Sequence, residues 1–269
     1  MNTEYNSNDD PLALLAWHIA MGVDEAISEE TINRFNTDIP LPAVPNQQGK
    51  PQKTQRPTPV VARPAQATSG AGAEVARKTA SACNTIGELK EALEGFDGGL
   101  LKRSAKNTVF ADGVEGAPLM LIGDLPGSEE DHVGQPFVGD AGQLLDKMLA
   151  AISFSRAENA YLSNIVPWRP LGNSKPNSDI LEMCKPFVER HIALAQPKVL
   201  VLMGGIATKT LLKTDDSISR QRGKWKKLTL YDTVFDVMPM LHPSYLLSQP
   251  LQKRSAWHDL LAIKEKLSS

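Results

Sequence analysis

The chain has 269 residues, 41% of them hydrophobic, which suits one large domain or two small ones and is low for a chain folded throughout. Two cysteines, Cys83 and Cys184, exclude a disulfide framework, and no apolar run approaches the roughly 20 residues of a membrane helix. The formal charge of -2 excludes a uniformly basic nucleic-acid binder, though not a local basic patch.

The acidic opening, with Glu4, Asp9 and Asp10, predicts no secretory signal and a soluble, cytoplasmic protein. Residues 11 to 36 are expected to be helical. Asp10 is placed as a cap, Pro11 stands at the first helical position, and Leu12, Leu15, Ile19 and Val23 recur at helical spacing. Seven prolines follow between Pro40 and Pro64, and no acid occurs from Ile39 to Ala73. Such a stretch buries too little apolar surface to offset its ordering entropy, so residues 37 to 82 read as a disordered, basic linker. Plain tethering is its simplest role; weak attraction to phosphate backbones is the alternative.

From residue 83 to 269 the pattern is that of a folded domain. The runs "LMLIGD" (119–124), "AYLSNIV" (160–166) and "KVLVLMG" (198–204) are short, apolar and end near Gly, Asp or Asn, as buried parallel strands do. Helical patterns lie between them. "DAGQLLDKMLAAI" carries Asp140 and Gln143 as a capping box, and "DILEMCKPFVERHIALA" contains Pro186, which predicts a kink. "IATKTLL" follows the third strand, and a last strand near "TVFDVMPML" precedes a C-terminal helix. The alternation predicts a three-layer α/β/α sandwich around a mostly parallel sheet of about four strands. Ligands of such folds bind outside the carboxyl ends of the strands.

Asp124, Asn164, Gly204, Gly205 and His242 all fall at or just after those ends. The stretch between the first strand and its helix, "GDLPGSEEDHVGQPFVGDAG", concentrates five acids and seven glycines or prolines around one aromatic, Phe137. Gly123, Pro126 and Gly127 make a tight turn that brings backbone against a ligand. A ring held on such a loop is a stacking platform for a base. The Asn164 amide offers a donor and an acceptor to a base edge, His242 can stabilise a departing anion, and the Gly204–Gly205 amides can face a phosphate. Each residue also has a plainer reading: Asp124 as a cap, Asn164 as a partner of buried backbone, His242 and Phe137 as core.

The blocks "GDLPGSEEDHVGQPFVGDAGQLLDKML", "YLSNIVPWRPLGNSKP", "VLVLMGGIATKTLL", "RGKW" and "HPSYLLSQPLQKRSAWHDL" resemble, in order and spacing from about residue 85 to 267, the motifs of family 4 uracil-DNA glycosylases. The resemblance does not reach residues 1 to 82. It implies a repair enzyme that flips uracil out of DNA and hydrolyses its N-glycosidic bond, leaving an abasic site. In that reading Asp124 assists water attack at the sugar, Phe137 stacks on uracil, and Asn164 reads its Watson–Crick edge. His242 stabilises negative charge on O2, and the backbone of Asp124 and Leu125 adds hydrogen bonds to the base. Glu130 matches a second acid near the base pocket. Tyr245, Leu246 and Leu247 resemble the segment that enters DNA, with Lys253, Arg254 and "RQRGKWKK" (220–227) facing phosphates.

The chain departs from the family twice. Family 4 enzymes hold a [4Fe–4S] cluster on four cysteines, whereas here only Cys184 is in place and Trp168 stands where another would be, so no cofactor is expected. The family also has Glu where this chain has Asp124, which shortens the arm by roughly 1 Å. Two other readings stay open: a metal-dependent phosphoesterase using Asp124, Glu129, Glu130 and Asp131, for which no paired His and Asp pattern exists, and a catalytically weak or inactive DNA-binding relative. A phosphate-binding P-loop is excluded, since no Gly-Lys-Ser/Thr follows the glycines. The expected partner is uracil-containing DNA, bound by a monomer with no membrane contact. The N-terminal helix is a candidate dock for a repair or replication partner.

Overall fold

A computed structural model describes residues 69–268. The expected helix over 11–36, and the linker up to residue 68, lie outside the described residues. The linker expectation fails at its end, because Ser69–Ala82 is a helix, α1. No proline occurs between Pro64 and Pro118, and alanine, the strongest helix former, dominates this stretch. Ala76 and Ala80 sit one turn apart and are fully buried, in the same core cluster as Cys184, Phe187 and Val188 of a later helix. The Arg190 guanidinium donates to the Cys83 carbonyl at 2.6 and 2.8 Å and ties down the end of α1.

The elements after α1 are α2 (Ile86–Gly95), α3 (Gly99–Ser104), β1 (Ala111–Gly113), β2 (Leu119–Gly123), α4 (Ser128–Val133), α5 (Gly139–Ala151), β3 (Ala160–Asn164), α6 (Ser178–Ala195), β4 (Val199–Met203), α7 (Gly205–Leu212), α8 (Ile218–Gln221), β5 (Lys226–Leu230), β6 (Thr233–Met240), α9 (Pro243–Ser248) and α10 (Lys253–Ser268). They build one six-stranded sheet in the order β1-β3-β2-β4-β6-β5. The inner pairs β3–β2, β2–β4 and β4–β6 are parallel, as expected. The two strands beyond the expected four are antiparallel edges, β1 on β3 and β5 on β6. Both escape an apolar-run reading: β1 is three residues ending in glycine, and β5 opens with two exposed lysines that protect an edge.

Alternation along each strand sends its side chains into two separate cores. Leu119, Leu121, Leu162, Val199 and Val201 pack with α5, α9 and α10. Met120, Ile122, Tyr161, Leu200 and Leu202 pack with α1, α2, α6 and α7 on the other face. That is the three-layer sandwich. α6 continues through Pro186 as one element of 18 residues. α5 begins at Gly139 with no side-chain cap, so Asp140 lies in its first turn and not at its cap. The chain enters this helix through left-handed conformations at Phe137 (φ 53°) and Gly139 (φ 69°), which displace the start. Among the described residues no helix is long and apolar enough to cross a membrane.

Candidate functional site

The four parallel strands end together at Gly123, Asn164, Met203 and Met240, and the cleft lies against that edge. A cavity of about 450 Å³ is lined by Asp124, Leu125, Gly204, Gly205, His242, Ser244 and Tyr245, among others. A second, of about 400 Å³, shares Leu125, His242 and Ser244 and extends over Glu130, Val138 and Asp140.

Asp124 leaves β2 directly and turns toward the start of α7. Its Oδ1 accepts from the Ala207 amide at 2.7 Å, with further stabilisation from the Ile206 and Gly205 amides. Of the Gly204–Gly205 pair, Gly205 therefore turns its amide to Asp124 and Gly204 donates to the Met240 carbonyl at 3.0 Å, so neither amide is spare for a phosphate as expected. A Cβ on Gly204, which sits at φ 114°, would collide with the Asp124 carboxylate. Burial outweighs the amides and raises the Asp124 pKa from an ordinary 3.8 to about 6. Asp124 thus combines both readings of it: it caps α7 and lines the cleft.

His242 follows β6 and is the N-cap of α9, with Pro243 at the first helical position. Its Nδ1 accepts from the Ser244 amide at 3.3 Å and lies 2.7 Å from the Ser244 hydroxyl. An amide N–H can only donate, so Nδ1 is the acceptor and the ring proton sits on Nε2. Burial lowers the His242 pKa from 6.5 to about 4, so the ring is neutral at physiological pH. Ser244 carries no motif of its own; its position two residues after a capping His, behind a proline, is the one signal that marks it as the donor.

Phe137 lies parallel to His242, with ring centroids 5.6 Å apart and 23° between planes. The ring is buried, with its other contacts in the core that includes α5 and α10, so the loop residue is also a core residue. Asn164 ends β3 beside Gly123 and is 5% exposed. Its side chain has no hydrogen-bond partner among the described residues, which leaves its donor and acceptor free. Gly123 separates the two: a Cβ there would meet Phe137 Cζ at 2.6 Å and collide with Asn164 Oδ1.

Two further acids of this stretch accept from nearby backbone. Glu130 Oε2 accepts from the Gly127 amide at 2.9 Å, closing the first turn of α4, and burial raises its pKa. Asp131 accepts from the Lys106 and Asn107 amides at 2.7 and 3.2 Å and holds that loop. Among the described residues no three His, Cys, Asp or Glu are grouped to hold a metal ion. The phosphoesterase ligand set does not assemble.

On α9, Tyr245 and Leu247 are exposed, but Leu246 is fully buried between α5 and α10. One turn of helix cannot turn three consecutive side chains outward, so Leu246 anchors the segment and does not reach a ligand. Lys253 and Arg254 are exposed at the start of α10. In the basic run 220–227, Arg222 does not face outward: its guanidinium binds the buried Asp259 and the Ser255 carbonyl.

Trp168 and Cys184 are both buried in the core on the α6 side. Trp168 Nε1 donates to Thr108 Oγ1 at 2.9 Å, and its ring packs so closely on Gly98 that a Cβ there would lie 2.8 Å from it. Burial pushes the Cys184 thiol up to about 12, which keeps it protonated. The other cysteine, Cys83, donates to the Thr79 carbonyl. A protonated thiol and a packed indole, in a chain with two cysteines, do not fit a group that needs four thiolates.

Residues 110–261 match the uracil DNA glycosylase superfamily. The chain is 34% identical over 168 residues to a type-4 uracil-DNA glycosylase of Saccharolobus solfataricus, covering 61% of this chain and 78% of that protein. It is 32% identical over 169 residues to the type-4 enzyme of Archaeoglobus fulgidus, covering 61% and 84%. For that of Thermotoga maritima the figures are 35% over 148 residues, covering 52% and 72%.

Proposed function

The chain belongs to the uracil-DNA glycosylase superfamily, and from that premise we propose that it excises uracil from DNA by hydrolysing the N-glycosidic bond, leaving an abasic site for repair. The observation that carries the reading is the pair facing one cleft: a carboxylate that ionises at about 6 and an imidazole that stays neutral down to about 4.

Uracil leaves as an anion, so a site that stabilises charge on O2 needs a hydrogen-bond donor and not a strong acid. His242 Nε2–H is such a donor, held in place by the Ser244 cap. One preorganised donor at developing charge is worth about 3 kcal/mol. Opposite it, ionised Asp124 stabilises the oxocarbenium-like sugar and orients water at C1′. The α7 amides fix its position, so the arm that is one methylene shorter than a Glu is rigid. Phe137 stacks on the flipped base. Asn164, with its amide free, donates to O4 and accepts from N3–H; cytosine presents the reverse polarity at both positions. Tyr245 and Leu247, both exposed, enter the space left by the flipped nucleotide, and the exposed Lys253 and Arg254 meet the phosphates.

We propose also that the chemistry proceeds without an iron–sulfur cluster, since Trp168 and its neighbours fill that corner by packing. The test is a single-stranded oligonucleotide with one uracil, incubated in EDTA and then treated with alkali. Strand cleavage at the uracil is expected, and its absence at any enzyme concentration overturns the reading. Gly123→Ala is expected to slow excision by roughly tenfold or more, since the new methyl must displace Phe137 or Asn164 by a substantial fraction of an ångström. An unaltered single-turnover rate would show that these two side chains do not hold the base.

A further inference from the structure

Arg156 lies in the loop between α5 and β3, outside every motif used so far, and its guanidinium is fully engaged. Nη2 donates to the Phe137 carbonyl at 2.9 Å, and Nη1 approaches the Pro136 carbonyl at 3.4 Å. Nη1 also donates to Asp112 Oδ2 on β1 at 2.7 Å, and Nε to Asp146 Oδ1 on α5 at 2.8 Å. One planar cation therefore joins an edge strand, a helix and the loop that carries the aromatic ring. On its other side the Phe137 carbonyl is pressed against Gly142, where a Cβ would collide with it.

Phe137 has a left-handed backbone, at φ 53°, that a residue with a side chain rarely adopts. Such a conformation persists only where its surroundings over-determine it. Here the carbonyl is held from two sides, and the direction of the ring follows from the backbone that carries it. The ring lies parallel to His242.

We propose that Arg156 is a positioning residue for base excision: held by Asp112 and Asp146, its guanidinium fixes the Phe137 carbonyl and so sets the plane of the stacking ring. This rests on the reading that Phe137 stacks on the flipped uracil. A lysine keeps the charge but not the planar fork, so it cannot serve two carboxylates and two carbonyls at once.

The test compares Arg156→Lys, Phe137→Ala, their combination and Asp146→Asn by single-turnover excision from a uracil-containing single strand, with melting temperatures recorded. Arg156→Lys is expected to lower the maximal rate roughly tenfold, with the half-saturating enzyme concentration changed less than about twofold, because the phosphate contacts lie elsewhere. The combination should be no slower than Phe137→Ala within about twofold, as for two residues acting through one contact. Multiplied effects, or a wild-type rate for Arg156→Lys beside an impaired Phe137→Ala, overturn the proposal while leaving the stacking reading intact. A wild-type rate for Phe137→Ala removes the stacking reading and this inference with it. If Arg156→Lys melts much lower than the wild type, Asp146→Asn decides. Asp146 is half exposed, so its variant should fold normally. A slower maximal rate at an unchanged melting temperature supports the proposal, and an unchanged rate ends it.

Discussion

Asp124→Asn is expected to slow excision severely and, at neutral pH, to raise the melting temperature. The rate should fall by roughly two to three orders of magnitude, since a carboxylate at the developing sugar cation supplies about 3–4 kcal/mol of electrostatic stabilisation. The stability gain follows from the sign of the pKa shift. Burial raises the Asp124 pKa from 3.8 to about 6, so the folded state prefers the protonated form more than the unfolded chain does. Stability from this group is therefore greatest below pH 4, falls as pH rises toward 6, and is constant above. At neutral pH the ionised carboxylate costs the fold up to about 3 kcal/mol. The neutral isostere avoids most of that cost, and its carbonyl can still accept from Ala207. A rise of a few degrees, of the order of 2–4 °C per kcal/mol, is expected in calorimetry at pH 7.5. A variant that melts lower and excises at the wild-type rate would make Asp124 only a cap for α7.

His242→Ala carries the second large effect, a loss of about 100- to 1000-fold in single-turnover rate at pH 7.5. The pH profile separates its role from that of Asp124. The wild-type rate should rise about tenfold per pH unit up to the pKa of Asp124, near 6, and stay level above it. His242 titrates near 4, so its neutral form persists across that plateau. His242→Ala should lower the plateau and leave the acid limb where it was. If the imidazolium were the active form instead, the rising Asp124 carboxylate and the falling imidazolium would offset each other between about pH 4 and 6, the rate would decline above 6, and a plateau between pH 6 and 8 would not exist. The variant also removes the acceptor for the Ser244 amide at the start of α9, so a small drop in melting temperature accompanies the loss of rate.

Much of this site is legible along the chain. Apolar runs that stop at Gly123, Asn164 and Met203 announce parallel strands, and parallel strands bring their carboxyl ends to one edge. Asp124, Asn164 and His242 can be placed there without knowing a single contact. Other positions depend on partners far away in sequence. Leu246 reads as one of three outward residues until α5 and α10 enclose it. Arg222 looks like part of a basic surface until Asp259 is found behind it. Arg156 carries no motif, since it matters only through Asp112, 44 residues before it, and the Phe137 carbonyl. The edge strands β1 and β5 lack an apolar run because only one neighbour covers them.

Hydrophobic period and turn residues are local properties, and they suffice to establish the α/β/α order and the edge where the chemistry sits. The protonation states are not local. The α7 amides that hold Asp124 come from more than 80 residues downstream, and the walls that desolvate it and His242 come from several strands and helices. Desolvation sums over all neighbours in space, so a carboxylate that ionises near 6 and a histidine neutral down to 4 arise only once the sheet has closed around them.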